Sequence, residues 1–331
     1  MKTIVIISVC FLILGALLCF IGLAIVGFNV AKPENMIFES YDLTENFSLI
    51  EISALDFDVT VKQGESAKLE VVREKNKNAN HSISDGILKI NCEKKKMDFI
   101  QIFNFAKNEI ILTLPEKEFE SLLIKSGSGD LSLASLSLAK LTVETGSADI
   151  SISAVTASSV TISLGSGDIN ISSSKMVTGT VRTGSGDLNL ASVTASGNLW
   201  LNTSSGDIEA ASITAAGINA ETGSGDTQIS DALLDSFFIE TGSGSIELKR
   251  VNAKSNAKME TGSGDIEFSH LDAGEIIIET GSGDVEGSLL SPKNFKTETG
   301  SGSVRVPSSD YSAGLCDIET GSGDIQISII G

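Results

Sequence analysis

The sequence has few of the residues on which most enzyme sites depend. Its 331 residues include 2 His, 4 Cys and 1 Trp, and aromatic residues make up 5% of the chain. The histidines, His81 and His270, are far apart, and no C-x-x-C spacing, G-x-x-x-x-G-K-[ST] loop or G-x-S-x-G elbow with partners can be assembled. We therefore predict a protein that is not an enzyme, with no catalytic, cofactor-binding or metal-binding residues and no cofactor.

Positive charge is scarce in the C-terminal two thirds of the chain. The formal net charge is −19, and residues 126–331 hold 10 Lys and Arg against 26 Asp and Glu, whereas residues 1–125 hold 14 against 17. An acidic region of this size repels phosphate backbones and anionic headgroups. The composition therefore argues against nucleic acid as a partner.

One long uncharged run stands near the N-terminus. Residues 4–28 contain 25 residues without a charge, more than the roughly 20 that cross a bilayer core as a helix. We predict a single transmembrane anchor at residues 1–30, with Lys2 on the cytoplasmic side and the remainder extracytoplasmic at the cell membrane. A cleaved signal peptide is the alternative.

A four-residue turn, G-S-G-D or a close variant, recurs eleven times from Gly127 to Gly321. Successive copies are 19 to 21 residues apart, Thr precedes nine of them, and Glu precedes that Thr in seven, including the last six. Such a constant period indicates one structural unit per copy.

Each unit predicts two short strands around the turn. In residues 141–152, Leu141, Val143, Ile150 and Ile152 alternate with polar residues, the period-two pattern of a strand with one buried face. The turn also suits an antiparallel hairpin. Stacking like on like, about 4.8 Å apart, buries more and favours an all-β parallel solenoid of about 19-residue coils over residues 126–331.

Residues 31–125 contain strand-like runs such as "FSLIEIS" and "EIILTLP", and we predict an N-terminal cap with irregular first coils there. Phe99, Phe103 and Phe105 within this region offer the alternative of an aromatic membrane-contact or ligand surface. Cys92 and Cys316 are interpreted as buried thiols.

The repeated Asp raises the hypothesis of a calcium site. Calcium requires six to eight oxygen ligands, and the calcium-binding nonapeptide repeat has a different spacing. We instead predict that Asp accepts hydrogen bonds from the backbone of its own turn while Gly supplies a positive φ.

Two further features have simple structural interpretations. Trp200 occupies a strand position, where we expect a buried residue; a sugar-stacking platform is the alternative. Lys249, Arg250, Lys254 and Lys258 form a local basic group that we expect to be a solvated face offsetting nearby acids.

The segment "LTLPEKEFESLLIKSGSGDLSL" and the repeated "ETGSGDIEF" units resemble a family of bacterial candidate adhesins with β-strand repeats, a domain of unknown function. The resemblance covers roughly residues 45–331. It implies a right-handed parallel β-helix beside a membrane segment, at the cell surface, and no catalytic residues.

We therefore expect a non-enzymatic, membrane-anchored, adhesin-like binding or scaffold module that recognises an unidentified cell-envelope or surface ligand. An envelope-stress sensor or regulatory scaffold that binds a protein or peptide is the alternative. Because the last coil ends without an evident cap, homo-association through the C-terminal coil is also expected.

Overall fold

The computed structural model describes residues 36–94 and 107–330, and in these ranges the regular structure consists of β-strands. No helix within them is long and apolar enough to cross a membrane. The anchor predicted at residues 1–30 and the phenylalanines Phe99, Phe103 and Phe105 lie outside the described residues.

The strands before the repeats are β1 Met36–Asp42, β2 Leu49–Leu55, β3 Asp58–Gly64, β4 Lys68–Glu74, β5 Lys77–Ser84, β6 Ile87–Lys94 and β7 Glu109–Pro115. The first repeats contain β8 Glu118–Ser128, β9 Leu131–Ala134, β10 Ser137–Ser147, β11 Ile150–Ser153, β12 Thr156–Ser166, β13 Ile169–Ser172, β14 Lys175–Thr183, β15 Leu188–Ala191, β16 Thr194–Ala195 and β17 Asn198–Thr203. The remaining repeats contain β18 Ile208–Ala211, β19 Thr214–Thr222, β20 Thr227–Thr241, β21 Ile246–Thr261, β22 Ile266–Thr280, β23 Val285–Leu289, β24 Asn294–Thr299, β25 Val304–Arg305, β26 Leu315–Thr320 and β27 Ile325–Ile329.

Repeat strands pair in parallel with their equivalents one repeat away. Leu141 is paired with Leu122 on one side and Val160 on the other, and Ile150 is paired with Leu131 and Ile169. This confirms the all-β solenoid of right-handed type, with about 11 turns, and the antiparallel-hairpin interpretation of the turn is wrong.

The core lies inside the coils because the apolar positions of successive repeats stack on one another. The first residue of the strand that follows the turn, for example Ile150, Ile169 and Ile208, is buried in every repeat except the one with Val304, and the polar residue after it points outward. A fully buried side chain of this size contributes about 1.5 to 3 kcal/mol, so each coil adds a similar increment to the stack.

A second corner follows each short strand and had no obvious sequence signature. There the backbone takes a positive φ at a non-glycine residue in eight successive coils: Ser135, Ala154, Ser173, Ser192, Ser212, Asp231, Arg250 and His270. The side chains of these residues are exposed. The tight bend requires the unfavourable left-handed backbone conformation in each coil.

At the N-terminal end the coils are not stacked in chain order. Strand β2 lies between β6 and β8, and β3 lies between β7 and β9, so the first coil of the chain is the second coil of the stack. Antiparallel strands complete this end: β5 pairs with β6, β4 with β7 and β1 with β4.

The C-terminal end has the same kind of interleaving, which corrects the sequence-based picture of a last coil at the tip. Strand β26 lies between β22 and β24, and β27 lies between β23 and β25, so the outermost strands are β24 and β25. The repeats at Gly300 and Gly321 have closely similar sequences, so nothing in the period reveals their exchange. The strand order within one chain does not test the predicted homo-association, which stays a prediction.

A buried lysine directly precedes β24 at the C-terminal end of the solenoid. Lys293 is 5% exposed, and its ammonium group donates a hydrogen bond of 2.5 Å to the Ala273 carbonyl and lies 3.4 Å from Asp272 Oδ1. The segment between β25 and β26 covers part of the edge of β24, because Ser309 Oγ accepts a hydrogen bond from the Phe295 N–H. This coverage blunts the open strand edge.

Candidate functional site

The G-S-G-D corner is built by hydrogen bonds between neighbouring coils. Thr222 is buried, its hydroxyl donates to the Gly206 carbonyl of the preceding coil at 2.9 Å, and it accepts a bond from the Gly225 N–H of its own turn at 3.1 Å. Seven turns, those after Thr203, Thr222, Thr241, Thr261, Thr280, Thr299 and Thr320, share both bonds. The repeated Thr therefore closes its own turn and joins it to the neighbouring coil.

The repeated Asp bonds to the neighbouring coil, which corrects the prediction that it bonds within its own turn. Asp207 Oδ1 accepts a bond of 2.8 Å from the backbone N–H of Asp226, and Asp187 accepts one from Asp207. Each carboxylate thus stabilises the coil stacked on it.

The turn glycines are required mainly by close approach, not by positive φ as predicted. Only Gly129 and Gly167 among them have φ in the left-handed region. A Cβ on Gly225 would lie 1.9 Å from the Gly206 carbonyl oxygen, and one on Gly206 would lie 2.0 Å from that of Gly186. Stacked turns leave no space for a side chain at this position.

The corner provides no evident calcium site. Within the described ranges no group of three or more His, Cys, Asp or Glu side chains is arranged to hold a metal ion. The repeated Asp already has a structural function, because its carboxylate accepts a hydrogen bond from the backbone of the neighbouring coil. Cys92 and Cys316 are free and buried, as predicted, and burial raises the pKa of each thiol to about 12, which keeps them protonated and unreactive.

The outward side of the long strands offers a different kind of surface, which we call the Trp200 face. Its central column consists of residues that are neighbours in adjacent strands: Trp200, Asn219, Phe238, Lys258 and Ile277. Beside it runs a column of six glutamates in stacking order: Glu221, Glu240, Glu260, Glu279, Glu319 and Glu298. At about 4.8 Å per coil, these glutamates span about 24 Å.

Trp200 is 38% exposed, so the prediction that it is a buried core residue is wrong. Its neighbours Leu199 and Leu201 point inward and are 1% exposed. The period-two pattern of "NLWLN" already contained this signal, because the two leucines cannot be inward unless the tryptophan is outward.

Lys258 shows how the Trp200 face holds a cation. Its ammonium group lies 5.7 Å from the centroid of the Phe238 ring, hydrogen-bonds to Glu260 and lies 3.9 Å from Glu279. The bond to Glu260 raises the pKa of Lys258, and the charge of Glu279 adds to the effect. An aromatic ring and two carboxylates from adjacent coils thus surround one lysine.

The other basic residues singled out in the sequence do not join this group. Arg250 pairs with Asp231, Lys254 pairs with Asp235, and Lys249 pairs with Glu247. These contacts agree with the predicted role of a solvated set that offsets nearby acids. Exposed pairs of this kind contribute little to stability.

The chain is similar to several solved structures. A candidate adhesin from Parabacteroides merdae is 17% identical, covering 77% of this chain and 97% of its own, with a TM-score of 0.38. A candidate adhesin from Parabacteroides distasonis is 13% identical, covering 86% and 97%, with a TM-score of 0.44. A candidate lipid binding protein from Parabacteroides distasonis is 18% identical, covering 89% of this chain and 98% of its own, with a TM-score of 0.39.

No curated protein sequence matches this chain significantly. The model of one family, described as Toastrack DUF4097, matches residues 47–201 and 197–329, which together include nearly all of the solenoid. The chain is therefore a member of the Toastrack DUF4097 family.

Proposed function

We propose that the protein is a non-enzymatic, adhesin-like binding module whose solenoid displays the Trp200 face to a ligand of the cell envelope or cell surface. The observation that carries the proposal is the outward column itself. Trp200, Phe238 and Ile277 occur every second coil on one continuous sheet face, whereas the outward residues of a solvated sheet face are ordinarily polar.

The anchor completes the proposal. An uncleaved helix at residues 1–30 would hold the solenoid at the membrane with its repeats extracytoplasmic. N-terminal sequencing of the mature protein tests this part separately, since a mature terminus near residue 30 would contradict an anchor.

The binding role is tested with two variants of the full-length protein in cells that produce it. Trp200→Ser combined with Phe238→Ser should reduce the binding of cell-envelope fractions and cell aggregation. Leu233→Ser, at a residue that is 60% exposed on a different side of the coil, is the matched control and should leave both unchanged. Equal binding by all three proteins would contradict the assignment of the Trp200 face.

A further inference from the structure

The arrangement around Lys258 recurs two coils earlier without a lysine. Moving by two coils replaces Phe238 with Trp200 and Lys258 with Asn219. The same shift replaces Glu260 with Glu221 and Glu279 with Glu240. The earlier set therefore has the ring and both carboxylates in equivalent positions, with an amide where the cation stands.

The groups of the earlier set are incompletely used by the described part of the chain. No ion pair there involves Glu221 or Glu240. Glu221 accepts only the amide bond from Asn202, at 3.1 Å. The Asn219 Oδ1 atom is shielded from solvent and has no hydrogen-bond partner among the described residues.

We propose that Trp200, Asn219, Glu221 and Glu240 form a pocket that binds a lysine or arginine side chain of an extended peptide segment in a partner protein. The incoming cation would lie over the indole ring between the two carboxylates, as Lys258 lies over Phe238. The inference rests on the proposed function and names the chemistry of the ligand.

Two properties of the face favour a cationic peptide. The six-glutamate column complements a basic chain and repels an anionic one. In addition, Trp200, Phe238 and Ile277 recur every two coils, about 9.6 Å, which is close to the roughly 9.3 Å that a polyproline II helix advances in three residues. A peptide in that conformation could present one side chain to each apolar position.

The chain offers its own probe, because Trp200 is its single tryptophan. The full-length protein in a nonionic detergent is titrated with octalysine while the tryptophan emission is recorded. Octalysine with acetylated side-chain amines has the same length without the charges and is the control ligand. We expect a saturable change in emission with octalysine, weakened by salt, and no change with the acetylated peptide.

Two double variants that remove the same charge distinguish binding at the pocket from a general effect of the acidic surface. Glu221→Gln with Glu240→Gln should weaken octalysine binding about five- to tenfold, the loss expected for two partly exposed ion pairs. Glu247→Gln with Glu267→Gln removes the same charge from the short-strand side and should leave the affinity unchanged. An equal loss in both double variants would overturn the pocket.

Asn219→Lys is the most direct test because it gives the earlier set its own cation. We expect the variant to melt at the wild-type temperature or above, to alter the tryptophan emission without ligand, and to lose octalysine binding. Binding at wild-type strength would overturn the inference. If the pocket fails in these assays while the Trp200→Ser and Phe238→Ser variant still loses envelope binding, the proposed function stands and only the ligand assignment falls.

Discussion

At the scale of single residues, one threonine contradicts its column. Thr227 occupies the first position of a short strand, where the neighbouring coils have Ile208 and Ile246. It is fully buried, and its hydroxyl has no hydrogen-bond partner among the described residues. A buried hydroxyl without a partner costs free energy that a methyl group does not.

We therefore predict that Thr227→Val raises the free energy of unfolding by about 1 kcal/mol. The same substitution at Thr241, whose hydroxyl bonds the Gly225 carbonyl and the Gly244 N–H, should lower it by about 1 to 3 kcal/mol. Urea denaturation of both variants checks the pair. A loss of stability in Thr227→Val would mean that the hydroxyl has a partner.

A second residue-scale prediction concerns pH at the C-terminal end. The hydrogen bond from the Ser303 backbone lowers the pKa of Asp324, with a further contribution from the Ser303 side chain. A carboxyl whose folded pKa is lowered stabilises the fold above its ordinary pKa of about 3.9, and this contribution is lost as the pH falls through the folded value.

Asp324→Asn retains an acceptor oxygen and cannot ionise. The variant should melt below the wild type at pH 6, and the difference should disappear as the pH falls from about 4 towards 2. Melting curves across this range measure it. A difference that stays constant with pH would exclude ionisation of Asp324 as its source.

At the scale of the structural element, the corner depends on the absence of side chains. Gly225→Ala would place a methyl group 1.9 Å from the Gly206 carbonyl oxygen, and two stacked turns would have to separate. We expect a loss of about 1 to 3 kcal/mol or more in unfolding free energy. Ser224→Ala, at the exposed neighbouring position, should change it by less than about 0.5 kcal/mol, and a similar effect of both would contradict the steric argument.

The repeat made much of the element-scale architecture predictable. Period-two alternation around the turn indicates which residues point inward, and the constant spacing indicates parallel stacking. The second corner was not predictable because residues as different as Ser135, Asp231 and Arg250 adopt the left-handed conformation there, and none is glycine. The bend follows from stacking on the coil below, which a single repeat does not encode.

The Trp200 face was predictable only in part. The glutamate column is visible when the turns are aligned, but its neighbouring column becomes a surface only once Trp200 is recognised as outward. The equivalence of Trp200 with Phe238 then depends on counting coils across repeats of unequal length. The sequence of either segment alone does not show this equivalence.

At the scale of the whole molecule, the interleaved C-terminal order predicts an unusually costly truncation. Removal of residues 313–331 takes away β26 and β27, which lie beneath β24 and β25. The loss of structure should extend from the deleted strands to the outermost strands. We therefore expect the backbone amides of residues 294–305 to lose their protection against hydrogen exchange.

The control is removal of residues 330–331 alone, which leaves β27 complete and should preserve that protection. Rapid exchange confined to residues 294–305 in the longer truncation would support the interleaved order. Retained protection would mean that β24 and β25 re-pair directly onto β22 and β23.

The interleaved ends also affect how the molecule resists being pulled apart. In a solenoid stacked in chain order, force on the terminus peels off one strand at a time, with a single ladder of hydrogen bonds breaking at each step. Here the terminal strand β27 lies between two ladders, one to β23 and one to β25, so a protease-linked unfoldase that engages the C-terminus must break both before the chain can move. The last strand of the described residues is thereby held by hydrogen bonds on both of its edges.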